Sequence, residues 1–221
     1  MTTQTRHRIV GGPTLTRWYL VRHGVTEWNS DGRLQGQTDI PLSKTGREQG
    51  RLTAKRLAGV SFVMAYASDL IRAQETALLV LDGREIPLSL TPELRELNYG
   101  EWEGRAFKWV EEGNPGGSIQ NISNDPDFAP PGGESTAQLC GRVMEASKRL
   151  LDTHGDDDNV LVVGHGGSLR ALAVSMLGLP AASLWRMGTS TASVSILRRR
   201  NEGWQLELWN DTSHLEPPHH A

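Results

Sequence analysis

The chain has 221 residues, which is enough for one sizeable domain with a buried core. Its 23 basic and 26 acidic residues give a formal net charge of -3, which is not the balance of a general nucleic-acid binder. The single cysteine, Cys140, excludes an intramolecular disulfide, a zinc site built on several thiolates and an iron–sulfur cluster.

The two ends of the chain have the composition of extensions. Residues 1–16 are polar and contain two glycines and a proline, which predicts a flexible N-terminal extension, and 216–221 predict a flexible tail. One folded domain is expected over 17–215. No apolar run approaches the roughly 20 residues that cross a bilayer, and the N-terminus lacks the apolar core of a signal peptide. We therefore expect a cytoplasmic protein without a membrane partner.

Short apolar runs alternate with helical patterns along the first half of the chain. Trp18 to Val21 and Ser61 to Ala67 predict buried strands, and Ile86 to Leu90 predicts a weaker one. Helices are predicted from Ser43, as N-cap, to Gly59, from Asp69 to Leu79 and from Gly104 to Glu112.

The second half begins with a segment rich in Gly, Pro, Asn and Ser over 113–135, which is too long for an ordinary connection. Together with the preceding short helix it predicts a substrate-facing cap around 104–135. The remaining patterns predict helices over 136–153 and 168–176, a continuously apolar strand over 159–163 and a final hairpin of strands over 193–197 and 204–209. This alternation favours one α/β domain with a largely parallel sheet.

Two predicted strands end in a histidine flanked by glycine. The tripeptides are Arg22-His23-Gly24 and Gly164-His165-Gly166. Ligands of open α/β sheets bind at the carboxyl ends of the strands, and neighbouring strands can bring such ends together. The sequence therefore predicts a site with two histidines.

The surroundings of both tripeptides resemble the histidine phosphatase superfamily, whose fold is that of phosphoglycerate mutase. The resemblance covers Trp18 to Leu215 and implies a three-layer α/β/α sandwich with a mostly parallel central sheet. The segments that carry it, in the order of the family, are LVRHGVTEWNSDGRLQGQTDIPLSKTGREQG, ASDLIRAQETA, ELRELNYGEWEG, PPGGES, LVVGHGGSLRAL and NDTSHL.

The resemblance also implies the roles of the site residues. His23 becomes the nucleophile that forms a phosphohistidine, and Glu96 becomes the proton donor to the leaving group. Nearby cations disfavour the imidazolium form of the nucleophile and keep it usable. The groups implied to contact the phosphoryl group are Arg22, Arg72, His165, the N–H of Gly166, Asn29, Gln35 and Thr26.

Some assignments stay open at this point. Glu93 and Glu101 are alternatives to Glu96 as proton donor. Three aromatic residues in or beside the predicted cap are candidates for contact with the leaving group, namely Phe107, Trp109 and Phe128.

Two features favour hydrolysis over transfer between substrates. The predicted cap carries two basic and five acidic residues, whereas a mutase with a bisphosphorylated intermediate is expected to add cations there. Gln35-Gly36 is typical of the phosphatase members of the family. We therefore predict a phosphomonoesterase of the histidine acid phosphatase type that acts on a small phosphorylated metabolite with an apolar or neutral leaving group.

Neither metal nor cofactor is expected, because two arginines beside the nucleophile repel a metal cation. The alternatives are a cofactor-dependent phosphoglycerate mutase and a non-catalytic module that binds a phosphorylated ligand. No nucleic-acid partner is expected. A homodimer is left open, since members of the superfamily are often dimers.

Overall fold

A computed structural model describes residues 16–113, 116–151, 153–155, 157–200 and 203–215. The predicted extension and the predicted tail over 216–221 lie outside these residues, except for Thr16. Thr16 departs from the prediction because it is buried and its hydroxyl donates to the carbonyl oxygen of Gly155 at 2.9 Å. The well-packed chain therefore begins at least one residue earlier than expected.

Six strands form one sheet, with the order β3-β2-β4-β1-β5-β6. The first four strands in this order are parallel, whereas β5 is antiparallel to both β1 and β6. This confirms an α/β fold with a mostly parallel sheet that ends in a hairpin. The strands are β1 (Arg17–Arg22), β2 (Phe62–Ala67), β3 (Leu88–Leu90), β4 (Asn159–Gly164), β5 (Val194–Arg200) and β6 (Gly203–Asp211).

The helices agree with most of the predicted ones. The main differences are α1, α5 inside the segment predicted as irregular, and the starts of three helices: α3 begins two residues and α4 three residues after the predicted start, and α7 two residues before it. The 3₁₀ turns were not predicted either; they lie at Pro92–Leu94, Gly100–Trp102, Ala181–Arg186 and Ser213–Leu215. The helices are α1 (Glu27–Ser30), α2 (Lys44–Arg56), α3 (Ile71–Leu81), α4 (Phe107–Glu111), α5 (Ile119–Asn124), α6 (Thr136–Leu151) and α7 (Gly166–Leu177).

Helices cover both faces of the sheet, which confirms the three-layer arrangement. On one face, Trp18 and Leu20 of β1 pack into a buried cluster with residues of α6 and α7. On the other face, Tyr19 and Val21 pack with residues of α2 and α3. The residues of β1 alternate between the two clusters because successive side chains of a strand point to opposite faces of the sheet. Because both faces are covered, β1 is apolar throughout its centre and can carry polar groups only at its ends.

In the part of the chain that the structure describes, no helix has the combination of length and hydropathy that a membrane crossing requires.

Candidate active site

The carboxyl ends of β1 and β4 bring the two histidines together. Arg22 is paired in register with Gly164, and the N–H of His23 donates to the carbonyl oxygen of Gly164 at 2.9 Å. The next residues on both strands are the histidines, whose ring centroids are 5.1 Å apart. Both side chains are buried, with 2% of His23 and none of His165 exposed.

A backbone carbonyl fixes the tautomer of His23. Its Nδ1 lies 2.7 Å from the carbonyl oxygen of Gly24, which can only accept, so Nδ1 carries the proton. Burial, reinforced by Arg72 and Arg22, lowers the pKa of His23 well below its ordinary value. The ring is therefore neutral at neutral pH, and its Nε2 carries a lone pair that can attack an electrophile.

An arginine fixes the opposite tautomer of His165. Arg72 Nε donates to His165 Nδ1 at 3.2 Å, and because a guanidinium cannot accept, the proton of the neutral ring must sit on Nε2. Burial, followed by Arg72 and His23, lowers the pKa of His165 well below its ordinary value. In the described part of the structure, its Nε2 is buried and has no hydrogen-bond partner. His165 thus offers an unused N–H donor beside His23.

Arg72 is wholly buried and is held by three acceptors. Besides His165, its Nη1 donates to the carbonyl oxygen of Thr38 at 2.8 Å and its Nη2 to that of Gly36 at 2.6 Å. Burial lowers the pKa of Arg72 to about 10, so it remains charged at neutral pH. Glu103 fixes the loop that supplies these carbonyls, because its carboxylate accepts from the N–H groups of Gln37 at 2.8 Å and of Thr38 at 2.9 Å.

Arg22 supplies a second cation next to the nucleophile. Its Nη1 donates to the carbonyl oxygen of Thr189 at 2.6 Å, and its Nε is buried with no partner among the described residues. Buried N–H groups without acceptors are unfavourable and uncommon in native proteins. Arg22 and His165 both present such groups beside His23, which is the arrangement that a ligand rich in oxygen atoms would satisfy.

The carboxylate of Glu96 lies at the start of α7. The N–H of Gly167 donates to its two oxygens at 2.9 and 3.1 Å, and the N–H of Leu97 donates to Oε1 at 2.8 Å. The alternatives lie elsewhere, because Glu93 pairs with the exposed Arg149 and Glu101 is exposed. Of the three carboxylates, only Glu96 reaches the cavities described next.

Arg142 clamps the loop that carries Glu96. Its Nη1 donates to the carbonyl oxygens of Glu93 at 2.6 Å and Arg95 at 2.9 Å, and its Nη2 donates to that of Glu96 at 2.8 Å. The opposite side of the guanidinium pairs with both carboxylate oxygens of Glu134. A planar fork with five donors can hold a loop in this way, whereas a single ammonium group cannot.

Two cavities meet at Arg22, Glu96 and Tyr99, which line both. The smaller, of about 110 Å³, contains His23 and Arg72. The larger, of about 370 Å³, is open on one side and extends below the cap. The residues that line only the larger cavity are Phe107, Ile119, Ser123, Gly166, Gly167, Arg170 and Trp185.

The sequence profile of the Histidine phosphatase superfamily (branch 1) matches residues 18–212. The chain belongs to this superfamily. The curated protein "Probable phosphoglycerate mutase GpmB" of Cronobacter sakazakii is 35% identical over 205 residues, which cover 90% of this chain and 95% of that protein.

Solved structures of phosphatases from the superfamily are also similar to this chain. A mycobacterial glucosyl-3-phosphoglycerate phosphatase in complex with VO3 aligns with a TM-score of 0.79 and 31% identity, over 89% of this chain and 99% of that one. The α-ribazole phosphatase of Shigella flexneri aligns with a TM-score of 0.80 and 32% identity, over 88% and 96% of the two chains.

The remaining predicted contacts of this superfamily member fall into two groups. Asn29 and Gln35 line the smaller cavity, and Gly166 lines the larger one. Thr26 lines neither cavity. Its buried hydroxyl donates to Gln35 Oε1 at 2.9 Å and accepts from the N–H of Asn29 at 3.2 Å. Thr26 therefore holds the two amides in place rather than facing the site.

The segment predicted to form a cap, 104–135, presents one of its three candidate aromatic residues to the larger cavity. Phe107 lines it, whereas Trp109 stacks with Arg105 away from it and Phe128 packs against Trp102 in the core. None of the acidic residues of the cap lines either cavity. The acidity of the cap therefore lies away from the surfaces that a substrate touches.

Sequence reasoning missed Tyr99, Arg170 and Trp185 as lining residues, and Glu103 and Arg142 as supports. A signal existed for Arg170, which follows Gly166 by four residues and so lies on the same face of α7. Among the described residues, no group of three or more His, Cys, Asp or Glu side chains is arranged to hold a metal ion.

Proposed function

We propose that this member of the superfamily is a metal-independent phosphomonoesterase of the histidine acid phosphatase type, which hydrolyses a small phosphorylated metabolite through a phosphohistidine on His23. The observation that carries the proposal is the pairing of a neutral histidine, whose Nε2 bears a lone pair, with the unpaired N–H groups of Arg22 and His165.

In the first step, His23 Nε2 attacks the phosphorus atom as the bond from phosphorus to the leaving oxygen breaks. Glu96, in its protonated form, gives its proton to that oxygen, so the leaving group departs as an alcohol. Charge on the phosphoryl oxygens is stabilised by Arg22, Arg72 and the Nε2–H of His165. The nucleophile, now phosphorylated on Nε2, keeps its Nδ1–H on the carbonyl of Gly24.

In the second step, the carboxylate of Glu96 takes a proton from a water molecule as the water oxygen attacks phosphorus. The N–P bond breaks, its electron pair returns to Nε2 of His23, and inorganic phosphate leaves. Glu96 is protonated again and ready for the next substrate. Splitting one displacement into two uses the same cations twice, which is the advantage of a covalent intermediate.

Charge favours hydrolysis over a mutase reaction. Phosphoglycerate mutase would have to hold an intermediate with two phosphoryl groups and a carboxylate. Among the described residues, three arginines that line the cavities are not paired with a carboxylate: Arg22, Arg72 and Arg170. Only Arg170 lies outside the immediate surroundings of His23. The mutase remains the second candidate because the curated relatives carry that name.

The test measures phosphate release from p-nitrophenyl phosphate and from a panel of phosphorylated metabolites. Wild-type protein should release phosphate and should carry acid-labile phosphate after rapid quenching. The His23→Ala variant should fold but show neither. Conversion of 3-phosphoglycerate to 2-phosphoglycerate faster than any phosphate release would contradict the proposal, and binding of esters without turnover would point to the non-catalytic module.

A further inference from the structure

The motif NDTSHL lies close to the C-terminus, and the reaction steps described above do not use it. It begins at Asn210, near the end of β6, and includes the 3₁₀ turn Ser213–Leu215. None of its residues lines either cavity. The side chains of Asn210 and His214 instead bond to loop 188–193, which leads into β5.

Loop 188–193 holds the backbone that carries the nucleophile. The N–H of Ala192 donates to the carbonyl oxygens of Arg22 and His23, each at 3.1 Å. The loop also holds the side chain of Arg22, whose Nη1 donates to the carbonyl oxygen of Thr189 at 2.6 Å. A shift of this loop therefore moves the nucleophile and the neighbouring cation together.

Three side chains from 209–214 bond to main-chain groups of this loop at every second residue. The bonds run from Trp209 Nε1 to the carbonyl oxygen of Gly188 at 2.6 Å, from the N–H of Ser190 to Asn210 Oδ1 at 2.5 Å, and between His214 Nε2 and the carbonyl oxygen of Ala192 at 3.1 Å. The loop therefore cannot move towards or away from β1 without breaking bonds to the C-terminal segment.

Ala192 is the residue at which these bonds matter most. It is wholly buried, and its φ of +55° lies in the left-handed region, which is unfavourable for a residue with a Cβ atom. Such a conformation persists only where the surroundings hold it. Arg22 and His23 hold the N–H of Ala192, and His214 holds its carbonyl oxygen. Without His214, this backbone can relax and turn its N–H away from β1.

The ring of His214 acts as a donor. Because the carbonyl oxygen of Ala192 can only accept, Nε2 carries the proton. Burial lowers the pKa of His214, and its Nδ1 is buried without a partner among the described residues, so the ring is neutral at neutral pH. The hydroxyl of Thr53 lies 3.1 Å from the same Nε2 and donates to the carbonyl oxygen of Gln49 at 2.9 Å. His214 is thus fixed between α2 and loop 188–193.

We propose that His214, together with Asn210, is a positioning residue for catalysis, which acts through loop 188–193 to hold Arg22 and His23 in the geometry that phosphoryl transfer requires. This inference rests on the proposed function. His214 does not touch the substrate, so its loss should slow the reaction of a protein that remains folded. Catalytic geometry tolerates little displacement, since a shift of about 1 Å can lower a rate by about 10²-fold.

The experiment compares pairs of variants that remove or keep one hydrogen bond. His214→Phe keeps a ring but removes the donor, and we expect kcat/KM for p-nitrophenyl phosphate to fall by about 10- to 100-fold. His214→Gln places an amide N–H near the position of Nε2 and should keep most of the activity.

The second pair concerns Asn210. Asn210→Gly removes the acceptor for the N–H of Ser190 at a φ of +56°, which glycine adopts freely, so it adds no backbone strain. It should also lower kcat/KM, whereas Asn210→Asp keeps an acceptor oxygen and should not.

The matched control is Leu215→Ala, which shortens a half-buried side chain of the same 3₁₀ turn without removing a side-chain bond to loop 188–193. It should lower the free energy of unfolding but keep the wild-type kcat/KM. A second readout is the NMR signal of the Nδ1–H of His23, observed with nitrogen-15 in histidine and assigned with His23→Gln. Because this proton is bonded to the carbonyl oxygen of Gly24, its chemical shift reports the local backbone. The signal should shift in His214→Phe and stay unchanged in Leu215→Ala.

The outcomes separate this inference from the proposed function. Wild-type kcat/KM and an unchanged His23 signal in folded His214→Phe overturn the positioning role while the phosphatase stands, and if that variant does not fold, Asn210→Gly decides in the same way. A loss of kcat/KM in Leu215→Ala as large as that in His214→Phe also overturns it, because the effect then follows the stability of the turn. If no ester releases phosphate, the proposed function fails, and the His23 signal still decides whether His214 positions the nucleophile.

Discussion

Arg72 Nε lies 3.2 Å from His165 Nδ1, and this one contact decides which nitrogen of the histidine can serve a ligand. The same guanidinium also donates to the carbonyl oxygens of Thr38 and Gly36. Arg72 therefore sets the direction in which His165 donates, and in the proposed mechanism it also places positive charge beside the phosphoryl group.

Replacing Arg72 by lysine should separate charge from geometry. An ammonium group cannot reach three acceptors at once, so His165 loses the partner that selects its Nε2–H tautomer. We expect kcat/KM to fall by about 10²- to 10³-fold, the usual effect of losing a preorganised donor to developing negative charge. Nitrogen-15 NMR of the ring should show mainly Nε2–H in wild type and a mixture in Arg72→Lys. Arg47→Lys, in a surface pair with Glu75, should change neither quantity.

Adding one methyl group at position 167 should displace the proton donor. A Cβ atom on Gly167 would lie 2.2 Å from Oε1 of Glu96, so the carboxylate must leave its present place. We expect Gly167→Ala to lower kcat for an alkyl phosphate by about 10²-fold or more, in line with the contribution of general acids, with the fold retained. Gly141→Ala in α6, where a Cβ meets nothing within 4 Å, is the control. Full activity of Gly167→Ala would remove Glu96 from the mechanism as described.

The clamp formed by Arg142 predicts an effect that depends on the leaving group. Arg142→Lys loses most of the bonds to the loop of Glu96, which impairs protonation of the leaving oxygen without touching His23. Esters of p-nitrophenol need little protonation, whereas alkyl esters need it fully. We expect kcat/KM, which reports the steps up to departure of the leaving group, to fall about tenfold more for an alkyl phosphate than for p-nitrophenyl phosphate.

The control for the clamp is Arg149→Lys, which disturbs the exposed pair with Glu93 only. An equal fall of kcat/KM for both esters in Arg142→Lys would indicate a general structural role for Arg142 instead of control over Glu96.

The buried histidines predict how stability depends on pH. The pKa values of His23 and His165 are lowered well below the ordinary value of 6.5, so the unfolded chain binds protons that the folded chain does not. The free energy of unfolding should therefore fall as the pH drops below about 6.5, by about 1.4 kcal/mol per pH unit for each such histidine. Between about pH 5 and 6.5, carboxylates contribute little to this change in stability, because their ordinary pKa values are near 4.

Urea unfolding of wild type and His23→Gln over that range of pH measures this effect. The variant has one histidine fewer to protonate on unfolding. The slope of its free energy of unfolding against pH should therefore be smaller by about 1.4 kcal/mol per pH unit, which corresponds to one proton. The same slope in both proteins would mean that His23 is not held neutral by the fold.

Chelation should leave turnover intact. Arg22 and Arg72 supply, as fixed guanidinium groups, the positive charge that metal ions supply to the phosphoryl oxygens in other phosphoryl-transfer enzymes. After dialysis against a chelator, kcat for p-nitrophenyl phosphate should match that of untreated protein. Loss of activity that one divalent ion restores would contradict this prediction.

Much of the fold could be predicted from the sequence because the strongest patterns are local. The apolar run of β1 leads into Arg22 and His23 and that of β4 into Gly164 and His165, and this predicted both the parallel core and the meeting of the two histidines. The start of α7 was set two residues late, because Gly166 and Gly167 are poor helix formers by themselves. In the fold, the hydroxyl of Ser168 accepts from the N–H of His165 and supports a helix that begins at once.

The cavity walls were harder to predict because they come from packing between distant segments. Trp185 reaches Arg170 only once the turn at Ala181–Arg186 lies against α7, and no local pattern reports that contact. Arg142 is likewise one of several polar residues on an amphipathic helix until the loop of Glu96 lies across it. Composition was misleading for the cap, since summed charge does not say which side chains face inwards.

The position of β1 in the sheet also bears on how the protein is made. β1, the strand that leads into His23, is synthesised well before its two neighbours in the sheet, which begin only at Asn159 and Val194. Until α6, β4 and α7 have been synthesised, Trp18 and Leu20 lack most of the surface that buries them. Pairings this distant along the chain are slow to form and leave apolar strands exposed meanwhile. Newly made chains should therefore acquire activity only after the segment that contains β4 and β5 has been synthesised.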